Sequence, residues 1–96
     1  MATHLQHDFT DKVAVVTGAS RGVGRCVVAQ LAAAGAKVAF GARRAEAIET
    51  LESELRAQGH ETLGVAMDVS RHEDCGRLVE ATRARWGGLD IVVNCA

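Results

Sequence analysis

The feature that most constrains this chain is the regular switching of its apolar period between about two and about 3.6. The run VAVVT after Lys12 is β-branched and free of polar interruption, as expected of a strand buried on both faces of a parallel sheet. From Val23 the spacing turns helical, through Val23, Cys26, Val27, Gln30, Leu31 and Ala34, until Gly35 stands where a helix-ending glycine belongs. KVAFGA then restores a strand pattern. Arg44 to Gln58 places Ile48, Leu51 and Leu55 on one helical face, Gly59 ends it, and TLGVAM follows as a third strand. Ser70 before Arg71, with Glu73 three positions on, reads as an N-cap with a capping box. Behind it Cys75, Leu78, Val79, Thr82 and Trp86 form a stripe, and LDIVVN after Gly87 and Gly88 is a fourth strand. Strands and helices alternating over short joints imply parallel strands linked by right-handed crossovers, hence an open α/β sheet.

Ninety-six residues without proline or an internal linker suit one domain, with residues 1–10 read as a loose arm ahead of it. A formal net charge of -1 offers no basic excess for nucleic-acid phosphates, and no apolar run is long enough to cross a bilayer. MATHLQHDFT has neither the apolar core of a signal peptide nor the arginines of a transit peptide, so the expected location is the cytoplasm. Cys26, Cys75 and Cys95 are odd in number and widely spaced, which excludes a disulfide scaffold; Cys26 and Cys75 read as small core residues on apolar helix faces. His4, His7, His60 and His72 are scattered, and no metal site is expected.

Between the first strand and the first helix lies TGASRGVG. Gly18 gives the backbone freedom for a sharp turn, while Gly22 and Gly24 at the helix start carry no side chains to obstruct a pyrophosphate approaching free N–H groups and the positive end of the helix dipole. Three glycines suit any tight turn; strand before, helix after and a complete βαβ unit around them are what point to a nucleotide.

The same loop in KVAVVTGASRGVG, with MDVS at Met67–Ser70 and GGLDIVVNCA at the end, resembles the short-chain dehydrogenase/reductase family. The resemblance runs from about Phe9 to Ala96 and is similar in particular to bacterial NADP-dependent reductases of the ketoacyl-acyl-carrier-protein type. It implies a Rossmann-type sheet in the order 3-2-1-4, incomplete here, in which residues 11–96 form the amino-terminal part of a dinucleotide-binding domain. It further implies that Gly18, Gly22, Val23 and Gly24 hold the pyrophosphate and that Ser20 and Arg21 reach the adenosine ribose. Asp68 and Val69 would flank the adenine, and Asn94 and Ala96 would lie beneath the cofactor, with Asn94 tying the sheet together. The other readings stay open: an exposed strand-end residue for Asp68, a turn former for Asn94. Cys95 departs from the family motif, which has a second asparagine there.

An NAD site carries a carboxylate about twenty residues past the glycines, at the end of the second strand. No acid occurs between Val38 and Ala45; Ala42 takes that place, followed by Arg43 and Arg44. Guanidinium forks suit a phosphate, so Arg43, Arg44 and Arg21 favour NADP, against the alternative that they merely solvate a helix start.

The family's serine, tyrosine and lysine all lie later than the stretch present, and this chain has no tyrosine. No catalytic residue is expected within residues 1–96, and these residues alone are expected to be inactive. The expected function is an NADP(H)-dependent oxidoreductase interconverting a small-molecule carbonyl and alcohol, a homo-oligomer at full length by the family's habit. The rivals are a stand-alone nucleotide-binding or redox-sensing module without catalysis, and an interaction module using the edge of its last strand.

Overall fold

The computed structural model describes residues 9–19, 22–68 and 70–95. The elements follow in the order β1 (Val13–Thr17), α1 (Gly22–Ala33), β2 (Lys37–Ala42), α2 (Ala45–Ala57), β3 (Thr62–Ala66), α3 (His72–Trp86) and β4 (Ile91–Asn94). The strands form one parallel sheet in the order β3-β2-β1-β4, as the resemblance implied.

β1 and β2 occupy the middle of the sheet, and β1 is buried along its whole length. The sheet divides two cores. Val16, Val38 and Phe40 pack with Val28 and Ala32 of α1 and with Ile48, Leu51 and Leu55 of α2. Val15, Ala39 and Met67 pack on Leu78 of α3. This alternation of Val15 and Val16, Val38 and Ala39 to opposite faces is why the central strands read as continuous apolar runs.

Of the expected arm, residues 1–8 lie outside the described residues. Phe9 is docked: its N–H donates to the Ala34 carbonyl at 3.0 Å and its ring packs on the α1/α2 core.

Two expectations are corrected. The buried stripe of α1 is Gly24, Val28 and Ala32, with Val27 and Leu31 at its flank; Val23 is 73% exposed and Cys26 is exposed rather than in the core. The loop sets this phase. Gly24 sits against the backbone of Gly18 and Ala19, with no room for a Cβ beside the Gly18 carbonyl oxygen, and so turns Val28 and Ala32 toward the sheet. Cys75, by contrast, is half-buried and packs on the α3-side core. The second correction concerns the start of α3, whose N-cap is Arg71, without a side-chain hydrogen bond. The Ser70 hydroxyl turns back instead to Asp68 Oδ1 at 2.7 Å.

Candidate functional site

Parallel strands bring the loops after β1, β2, β3 and β4 to one end of the sheet, the end where ligands bind in open α/β folds. The β1–α1 loop is hooked to its neighbour: the N–H groups of Gly18 and Ala19 both donate to the Gly41 carbonyl, at 3.0 and 3.1 Å. Gly18 lies at φ 74° and Gly22 at φ 63°, in the left-handed region where a Cβ is strained. Because the Gly18 N–H is already engaged, its contribution here is the shape of the turn. The donors left over are those of the first turn of α1, where Gly22, Val23 and Gly24 lack intrahelical partners for their N–H groups. Val23 is exposed beside them. A closely approaching anion fits this arrangement: N–H groups at a helix start, a positive dipole end and no side chain on either glycine.

Beneath the loop, Thr17 donates its hydroxyl proton to Asn94 Oδ1 at 2.9 Å, and the Cys95 N–H donates to the Thr17 carbonyl at 3.0 Å. Asn94 therefore joins β4 to β1 at the point where the sheet meets the site. Cys95 packs against the α1/α2 core.

At the other side of the loop the ladder between β2 and β3 runs one residue past its strands, through Met67 N–H to the Ala42 carbonyl at 2.7 Å. Arg43 and Asp68 follow side by side, with 3.9 Å between Arg43 Nη2 and Asp68 Oδ2. Asp68 Oδ1 accepts both the hydroxyl and the backbone N–H of Ser70, at 2.7 and 3.0 Å, and these bonds hold its carboxyl below the ordinary aspartate range. The Asp68 N–H donates to Asp74 Oδ2 at 2.9 Å, while Asp74 Oδ1 takes the Arg77 guanidinium. Bonds from Asp68 and then Arg77 likewise lower the Asp74 pKa. Arg44 is drawn elsewhere, with its Nε 3.7 Å from Glu46 Oε1 on its own helix.

The structure thus gathers Gly18, Gly22, Val23, Gly24, Arg43, Asp68 and Asn94 around one end of the sheet and sends Arg44 toward α2. Ser20, Arg21, Val69 and Ala96 lie outside the described residues. Ser70, Asp74 and Arg77 were missed as a support for Asp68; the only sequence signal was Ser70 two places past an aspartate, the spacing of an Asx turn. Among the described residues no group of three or more His, Cys, Asp or Glu side chains is placed to hold a metal, and no helix is long and apolar enough to cross a membrane.

Comparison with known proteins agrees with this geometry. Over 92 residues the chain is 45% identical to the A-factor type gamma-butyrolactone 1'-reductase of Streptomyces virginiae, covering 96% of this chain and 36% of that protein. It is 46% identical over 88 residues to the glycine betaine reductase of Emericella nidulans, covering 92% of this chain and 7% of that much longer protein. Among solved structures, the apo glucose dehydrogenase of Caenorhabditis elegans superposes with a TM-score of 0.87 at 34% identity, over 94% of this chain and 39% of that one. A metagenomic short-chain oxidoreductase in complex with NADP gives a TM-score of 0.85 at 36% identity, over 94% and 41%. The chain spans well under half the length of each of these relatives. The model of the short chain dehydrogenase family matches residues 12–96, every element from β1 to β4. With strand order, glycine loop and family match in agreement, the chain belongs to the short chain dehydrogenase family.

Proposed function

We propose that these residues are the cofactor-binding part of an NADP(H)-dependent oxidoreductase that interconverts a carbonyl and an alcohol on a small molecule. The observation that carries the reading is the packing of Gly24 against the Gly18 backbone, with no space for a Cβ, at a helix start whose first N–H groups lack intrahelical partners. That close approach fixes the rotation of α1 and also keeps the loop low, which suits a pyrophosphate lying over it. Val23 and Gly22 would sit against it, and Asn94 would brace the floor. The family relationship and the NADP complex of one structural relative point the same way.

The bound nicotinamide would supply the hydride. This chain's residues bind and orient, but they include no tyrosine to give a proton to a developing alkoxide. The proposal therefore assigns these residues binding and orientation, and no proton-transfer step.

Preference for the 2′-phosphate rests on Arg43 and on Ala42 where an NAD site has its acid. A charge-assisted contact contributes about 1.5–3 kcal/mol, roughly tenfold or more in affinity. Calorimetric titration of the full reading frame should give tighter binding of NADPH than of NADH, and Arg43→Ala should erase most of that margin. Equal affinities, or a margin untouched by the substitution, would overturn the assignment.

A further inference from the structure

Arg43 and Arg44 are adjacent in sequence, yet the fold treats them differently. Arg44 leans along its own helix toward Glu46, whereas Arg43 leans across the sheet end toward Asp68, on the neighbouring strand's exit. We infer that Asp68 is the positioning residue for Arg43, aiming its guanidinium over the carboxyl ends of β2 and β3, where a ribose 2′-phosphate would lie. The inference rests on the NADP reading above.

Three features suit Asp68 to this task. Its carboxylate is fixed, because Oδ1 is held by two hydrogen bonds from Ser70 while its own N–H is held by Asp74. Its second oxygen, Oδ2, faces Arg43 at 3.9 Å, beyond hydrogen-bond reach, so the pair directs the guanidinium without using any of its five donors. Arg43 has a side chain 77% exposed, and a long exposed cation is otherwise free to wander among rotamers. An electrostatic leash of this kind reduces the ordering left for the ligand to impose.

The test isolates the phosphate by comparing adenosine 2′,5′-bisphosphate with 5′-AMP, which differ only in that group. Both are titrated calorimetrically into the full reading frame and into Asp68→Asn, Arg43→Ala and the double variant. Asparagine keeps the shape and an oxygen for Ser70, and because Asp68 is itself expected beside the adenine, the readout is the ratio of the two affinities, from which any change in adenine binding cancels. Asp68→Asn should lower the ratio of the two affinities by about two- to fivefold, the range of an exposed ion pair. The same change on the Arg43→Ala background should leave the ratio where Arg43→Ala alone puts it. Ser70→Ala, which loosens the carboxylate without removing charge, should shift the ratio in the same direction by less. A ratio unchanged or raised by Asp68→Asn, or lowered equally with and without Arg43, overturns the inference. A ratio near one in the unsubstituted protein, or one indifferent to Arg43→Ala, overturns the NADP reading and the inference with it.

Discussion

Thr62 opens β3, 4% exposed, and its hydroxyl oxygen has no hydrogen-bond partner among the described residues. An unmade hydrogen bond on a buried group costs about 1–3 kcal/mol, and valine has nearly the same shape without the polar atom. Thr62→Val is therefore expected to stabilise the protein by about 1 kcal/mol, read as a higher urea midpoint at constant m-value; a loss of stability would contradict this. Asp68 and Asp74 act in the opposite sense. Their hydrogen bonds lower both pKa values from 3.8, so the stability they supply is complete above that value and is lost as pH falls through the lower, folded-state values. In an acid titration of the melting temperature, Asp74→Asn should make the fall below pH 3.8 shallower; an unchanged slope would show that other carboxylates control it.

The edge strand β3 needs protection, since unpaired N–H groups along an edge invite another chain. α2 provides some: Glu52 Oε2 accepts the Gly64 N–H at 2.8 Å, with Arg56 3.4 Å from the same carboxylate oxygen. Position 64 is glycine because a Cβ there would run into Ile48 Cγ2 and press on Glu52. Glu52→Ala should cost about 1 kcal/mol in chemical denaturation, the net worth of such a bond, while Glu52→Gln should retain most of it through the amide oxygen. Equal losses for both would assign the effect to the Arg56 pair instead. α1 and α2 are joined similarly at the surface, Arg25 to Glu54 at 2.6 Å, a half-exposed contact of small expected weight.

Across the whole molecule the two sheet edges are unlike. β3 is guarded, but β4 leaves Val92 63% exposed, and between α3 and β4 an apolar cavity of about 310 Å³ opens beside Val15, Leu78, Val79 and Val92. Apolar surface next to an open strand edge favours association. Residues 1–96 in isolation should therefore self-associate in sedimentation at micromolar concentration, and Val92→Lys should shift the distribution toward monomer. A monodisperse monomer with a cooperative melt would contradict this.

Much of this architecture was legible in one dimension. Alternation of the two periods determined the element order, the run VAVVT marked a strand buried on both faces, and Gly18, Gly22 and Gly24 located the loop, while the order of the strands came from the family resemblance. These are local signals, carried by residues next to one another. The rotation of α1 was not local: the packing of Gly24 against Gly18 decides it, which is why Val23 and Cys26 face outward despite fitting an apolar stripe. Nor was the cap of α3, because Ser70 had two acceptable uses and the carboxylate of Asp68, placed by the β2–β3 ladder, took its hydroxyl. The different directions of Arg43 and Arg44 depend likewise on what the fold sets beside each. Sequence specifies the elements and their chemistry, but hydrogen bonds between strands far apart in the chain decide which of several permitted partners a polar side chain meets.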